Sequence, residues 1–119
     1  MPLSRQALEI LREIHNLTGK RRFVFPGVSK TKALSNMAII AGLRRLGITK
    51  EEMTPHGWRA TARTLLDEVL KYPPHIIEQQ FAHVVRDPLG RAYNRTTHIE
   101  ERRKMMQAWA DYLDGLKQS

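Results

Sequence analysis

The sequence contains no cysteine, which removes disulfide cross-links, thiolate zinc sites and a cysteine nucleophile, and leaves any chemistry to oxygen, nitrogen and imidazole groups. Long apolar runs are also missing. Nothing approaches the roughly 18 to 20 residues that span a bilayer, and Met1-Pro2-Leu3-Ser4-Arg5 leads into an amphipathic pattern rather than a signal-type stretch. A cytoplasmic protein with no membrane partner is therefore expected. Acid is in short supply: 12 Asp+Glu stand against 20 Lys+Arg, for a formal net charge of +8 and a pI near 10.3. That imbalance favours a polyanionic partner, with nucleic acid ahead of an acidic membrane surface. What is present is ordinary for a globular chain, 41% hydrophobic and 27% charged, so it is neither a disordered tail nor a low-complexity polymer. At 119 residues, one domain covering 1–119 is expected.

Periodicity and punctuation predict helices almost throughout. From Ser4 to Leu17, Ala7, Leu8, Leu11 and Ile14 recur three or four residues apart behind a Ser4 cap, and Gly19 marks the stop. Lys20-Arg21-Arg22 then precedes Phe23-Val24-Phe25-Pro26-Gly27, which reads as a brief extended piece or a buried loop. Ser35 caps a second helix carrying Met37, Ile40, Leu43 and Leu46, which Gly47 ends. Thr54-Pro55 opens a third, with Trp58, Ala62, Leu65, Leu66 and Val69 on one face and Arg59 and Arg63 on another, broken at Tyr72-Pro73-Pro74. A fourth runs from about His75 to His83 and sends Ile76, Ile77 and Phe81 to the core. After the loop at Arg86-Asp87-Pro88-Leu89-Gly90, Arg91 to Arg95 suits one helical turn, and from Ile99 the positions Met105, Trp109, Tyr112, Leu113 and Leu116 outline a final helix. The expected class is mainly α, a compact multi-helix domain with at most a vestigial strand.

The residues that suit chemistry are His56-Gly57-Trp58-Arg59, His83, and Tyr93 between Arg91 and Arg95. His56 and Arg59, three apart on a helix, share a face. An imidazole beside a guanidinium suits a phosphate, because the guanidinium fork donates to non-bridging oxygens while His donates or moves a proton. A nearby phenol is the one nucleophile on offer, and with a solution pKa of about 10 it needs a base and neighbouring cations. Plainer readings stand beside each of these. His83 after Phe81-Ala82 suits a half-buried structural histidine, Tyr93 suits packing, and Lys20-Arg21-Arg22 and Arg102-Arg103-Lys104 suit solvated charge. The Met105, Trp109 and Tyr112 stripe suits packing against this core or a partner subunit. His75 and His83 lack the spacing of a His-Glu-x-x-His motif, so no metal is expected.

Taken in order, His-Gly-Trp-Arg-Ala-Thr-Ala-Arg-Thr (56 to 64), Glu-Gln-Gln-Phe-Ala-His (78 to 83) and Arg-Asp-Pro-Leu-Gly-Arg-Ala-Tyr-Asn-Arg-Thr (86 to 96) resemble the catalytic domain of tyrosine recombinases, and most nearly the integrases of prophages and genomic islands. The resemblance runs from Pro2-Leu3-Ser4 through Phe23-Val24-Phe25-Pro26-Gly27 to Trp109-Ala110-Asp111-Tyr112-Leu113. It implies the carboxy-terminal part of the DNA breaking-rejoining catalytic fold. It also implies a nucleophilic Tyr93, Arg59 as the second arginine of the family's pair, His56 assisting proton transfer and His83 donating to the phosphate. Arg63, Arg91 and Arg95 are the expected DNA-binding residues. The implied partners are double-stranded DNA attachment sites and other integrase protomers, in the cytoplasm of a bacterial host or of phage origin, with no cofactor.

In the family, a first catalytic arginine and a hairpin lysine precede the segment that Pro2-Leu3-Ser4 resembles, as do the amino-terminal DNA-binding domains. Residues 1–119 therefore read as a partial catalytic domain, expected to be inactive alone. The competing reading is a non-catalytic basic module that binds DNA or protein and keeps the motif as ancestry.

Overall fold

The computed structural model describes residues 1–29, 31–82 and 98–118. Among them run five α-helices, α1 (Arg5–Thr18), α2 (Asn36–Arg45), α3 (Pro55–Glu68), α4 (Pro74–Gln80) and α5 (Ile99–Lys117). The only extended pairing among the described residues is an antiparallel bridge between Pro26 and Ala33, so the chain is mainly α, as its periodicity predicts. It divides into two compact units, one of Met1–Ala7 with Arg59–Ser119 and one of Leu8–Trp58.

The first unit holds the buried core. Leu66, Ile76, Ile77 and Met105 form a closed cluster, with Leu70, Tyr72, Phe81, Met106 and Trp109 packed around it. α4 reaches this core because Pro74 opens it and Ile76 and Ile77 follow at once. The helix stops at Gln80, short of the predicted His83, because Ala82 turns into the left-handed region at φ 58° after Phe81 has closed the last turn. On α5, Met105 is fully buried and Trp109 stacks on Tyr112 at 5.9 Å between ring centroids. The stripe thus packs on its own core through Met105 and Trp109, with Tyr112 reaching it only through its stack on Trp109, while Leu113 and Leu116 stay exposed. Of the apolar face predicted for α3 only Leu66 is buried, while Trp58 and Val69, the latter just past the helix end, lie about half exposed.

The start of the chain is tied to α5 by polar contacts. Ser4 Oγ accepts the Ala7 N–H at 3.2 Å, the expected cap of α1. The Arg5 N–H donates to Gln107 Oε1 at 2.9 Å, Gln107 Nε2 donates to Gln6 Oε1 at 2.9 Å, and Gln6 Nε2 reaches both Asp111 Oδ1 and Asp114 Oδ2 at 2.9 and 2.8 Å. Pro2 and Ser4 are buried beside this clasp.

In the second unit the predicted punctuation holds: Ser35 Oγ accepts from the Ala38 N–H at 3.2 Å, and Gly47, at φ 83°, ends the α2 segment. None of its described residues is buried. Met37 and Leu46, expected to face a core, are 71% and 78% exposed. The run Phe23-Val24-Phe25-Pro26-Gly27 bends at Val24 and Phe25 and pairs through the bridge at Pro26, so it is a largely exposed bend rather than a regular extended piece or a buried loop. Its Phe25 carbonyl accepts from the Leu34 N–H at 2.8 Å, while Val24 and Phe25 remain exposed. Phe23, Val24, Phe25, Ala33, Leu34 and Ile39 line an open apolar groove of about 460 Å³.

Candidate functional site

α3 is the element on which the site is built. Thr54 Oγ1 accepts the Gly57 N–H at 3.1 Å, so the predicted Thr-Pro start caps the helix that carries His56 and Arg59. The division between the units falls after Trp58. His56 is therefore described with the second unit and Arg59 with the first. A side chain at position 57 would sit 2.8 Å from Met53 Sδ and 3.2 Å from the capping Thr54 hydroxyl, so Met53 and Thr54 would have to give way to admit one.

Arg59 is exposed and anchored. Its Nη2 donates to the Phe81 carbonyl at 2.7 Å, and its guanidinium carbon lies 5.0 Å from the centroid of the Phe81 ring. That combines a charge-assisted hydrogen bond with a cation–π contact on one residue. One turn along α3, Arg63 Nε pairs with Glu78. Arg59 and Arg63, placed on one helix face by their spacing, thus both reach α4. The sequence assigns Phe81 to the core and gives Glu78 no role of its own. Only the tertiary placement of α4 beside α3 gives them a role here.

Of the other expected site residues, His83, Tyr93, Arg91 and Arg95 lie outside the described residues, as does the helical turn expected at Arg91 to Arg95. The basic run at 102 to 104 is not uniformly solvated. Arg102 is buried on α5 and its Nε donates to Gln80 Oε1 at 2.9 Å, whereas the neighbouring Arg103 is exposed and pairs with Glu100 at 2.9 Å. Burial of residue 102 follows from its place one turn before Met105 on the core-facing side of α5.

The net charge is unevenly distributed. No Asp or Glu occurs between Glu13 and Glu51, yet Lys20, Arg21, Arg22, Lys30, Lys32, Arg44, Arg45 and Lys50 all fall there. These cations equal the whole formal charge of +8. The rest of the chain is balanced. Lys20, Arg21, Arg22 and Lys32 are exposed and adjoin the apolar groove in sequence, with the Arg22 guanidinium carbon 5.4 Å from the Phe23 ring centroid.

Among the described residues, no group of three His, Asp or Glu side chains is placed to hold a metal ion, and no helix is long and apolar enough to cross a membrane.

No family model matches the chain, and no solved structure does. Curated relatives do. The prophage integrase IntZ of Escherichia coli is 44% identical over 98% of this chain, the prophage integrase IntA of the same organism 40% over 95%, and the integrase of Shigella phage Sf6 33% over 96%. The chain spans only 28%, 27% and 30% of the length of these three proteins. Across nearly all of its own length, the chain is similar to one part of these prophage and phage integrases.

Proposed function

We propose that the chain is the phosphate-handling part of a tyrosine-type site-specific recombinase, the carboxy-terminal portion of its catalytic domain. In this reading the Tyr93 phenolic oxygen attacks the scissile phosphorus as its proton passes to a base. The bond from phosphorus to the 5′ oxygen breaks, leaving a 3′-phosphotyrosyl link and a 5′-hydroxyl that takes up a proton. The phosphodiester energy is conserved in the covalent link, so the same step run in reverse by a partner strand's 5′-hydroxyl completes strand exchange. Arg59 and His83 donate to the non-bridging oxygens, where negative charge accumulates at the pentacoordinate stage, and His56 assists the proton at the phenol. The attachment-site duplex is the substrate and other integrase protomers are the partners.

The observation that carries this reading is the tether from Arg59 to the carbonyl of Phe81, two residues before His83. It joins the helix bearing His-x-x-Arg to the beginning of the segment bearing His83 and Tyr93. Its test is a nicked attachment-site duplex that loses a strand on cleavage and so traps the covalent adduct. Because the chain spans about 28% of a matching integrase, the remainder is supplied in trans. An adduct that forms with the natural chain and vanishes in Tyr93→Phe supports the reading. An adduct that survives the substitution overturns Tyr93 as nucleophile.

A second reading, a non-catalytic basic module that binds DNA or protein, is favoured by the acid-free stretch between Glu13 and Glu51. It requires no adduct, only salt-sensitive binding.

A further inference from the structure

Arg59 and Arg63 stand one turn apart on α3, and both reach α4, where two acceptors stand about one turn apart. The Glu78 carboxylate takes Arg63, and the Phe81 carbonyl takes Arg59 at 2.7 Å. The two ligations are unequal in kind. A carboxylate binds a guanidinium by charge as well as by hydrogen bonding, whereas a carbonyl oxygen accepts from whichever donor arrives. The carbonyl, being neutral, has no charge preference of its own between the two arginines. What sorts them is the carboxylate at 78, whose side chain is 21% exposed against 46% for Arg63 and is thus the more fixed partner.

We propose that Glu78 is a positioning residue for Arg59: by binding Arg63 it reserves the Phe81 carbonyl and ring for Arg59 and so presets the guanidinium that receives a phosphate. The inference rests on the reading of Arg59 as a phosphate ligand. Its physical content is entropic. A long arginine side chain carries much rotamer freedom, and a guanidinium already fixed by one of its five N–H groups loses less of it on taking an anion. Phe81 supplies both halves of that fixation, the carbonyl 2.7 Å from Nη2 and the ring with its centroid 5.0 Å from the guanidinium carbon.

The sign of the effect separates positioning from plain electrostatics. Removing the charge of Glu78 makes the surroundings of Arg59 more positive, so Coulomb's law alone predicts tighter anion binding in Glu78→Gln. Positioning predicts weaker binding.

The experiment follows the Arg59 side-chain Nε–H resonance of the nitrogen-15-labelled chain during titration with inorganic phosphate, in the natural chain, in Glu78→Gln, in Arg63→Lys and in the exchange Arg63→Glu with Glu78→Arg. The backbone amide spectrum reports whether each variant keeps the fold. In the natural chain the resonance shifts saturably. Glu78→Gln raises the phosphate Kd about two- to fivefold, the scale of a partly exposed ion pair. Arg63→Lys, which keeps the charge and loses the fork, moves it the same way, and the exchange variant returns it toward the natural value. An unchanged or lower Kd in folded Glu78→Gln and Arg63→Lys overturns the positioning role and leaves Arg59 as a phosphate ligand. If Glu78→Gln does not fold, Arg63→Lys decides alone by the same criterion. A natural chain whose Arg59 resonance ignores phosphate overturns the phosphate-ligand reading and this inference with it.

Discussion

Arg102 Nε donates to Gln80 Oε1 at 2.9 Å, and the two side chains, from α5 and α4, are only 5% and 6% exposed. A guanidinium removed from water that far is tolerated only while hydrogen-bonded, because its desolvation is not otherwise offset. Gln80 also lies 3.5 Å from the Pro2 carbonyl through its Nε2, so one amide links the start of the chain, α4 and α5. Gln80→Leu keeps the volume roughly and deletes the acceptor. It should lower the stability to chemical denaturation by about 1–3 kcal/mol, the usual cost of leaving a buried polar group short of a partner. A change inside a few tenths of that would mean that the Gln80 amide contributes little to holding Arg102.

Ala82 sits at φ 58° immediately after the C-cap of α4. A residue with a Cβ costs roughly 1–2 kcal/mol in the left-handed region, and this is the helix-terminating position where glycine is favoured. Ala82→Gly should therefore stabilise the chain by about 1 kcal/mol, less whatever the freer unfolded glycine costs, read as a higher urea midpoint at unchanged slope. The reciprocal Gly47→Ala, at φ 83°, should lower the midpoint by a similar amount. If both changes are neutral, neither turn holds the left-handed conformation in solution.

These particulars show which parts of the fold were readable from sequence. Caps at Ser4, Ser35 and Thr54 were, because a hydroxyl three residues before an orphan N–H is a local device. The end of α4 was not, because the apolar residues continue to Phe81 and the left-handed turn at Ala82 carries no glycine to announce it. Periodicity placed apolar faces on α1 and α2 but is silent on what covers them, and no described residue of the Leu8–Trp58 unit is buried. At the candidate site, Arg59 was legible as part of His-x-x-Arg. Its anchor Phe81 and the pairing of Arg63 with Glu78 were not, since residues that far apart in sequence meet only through the packing of two helices.

Asp114 accepts a hydrogen bond from Gln6 Nε2 at 2.8 Å, and that bond, followed by the charge of Lys117, holds its carboxyl below the ordinary value of 3.8. A folded value below the unfolded one means that the clasp contributes stability above the ordinary carboxylate range and loses it as pH falls through the lowered value. Gln6→Ala should raise the Asp114 midpoint toward 3.8 in a carbon-detected NMR titration and leave stability near pH 7 little changed, because the Asp114 side chain is still 40% exposed and screened by water. A midpoint indifferent to Gln6 would show that the amide does not hold the carboxylate in solution.

The acid-free stretch between Glu13 and Glu51 makes a claim about where a polyanion is held. Each phosphate neutralised by Lys or Arg contributes about 0.9 to the slope of log affinity against log salt on duplex DNA. If exposed Lys20, Arg21 and Arg22 lie along the backbone, replacing all three by Gln should flatten that slope by about 2 to 3, whatever the duplex sequence. Arg103→Gln with Lys104→Gln is the matched control. Those cations lie on α5 beside Glu100 and Glu101, and Arg103 already pairs with Glu100, so their loss should move the slope by less than about 1. Equal effects from both sets would place the binding on total charge rather than on this stretch, and a natural chain whose affinity ignores salt would remove electrostatic DNA binding altogether.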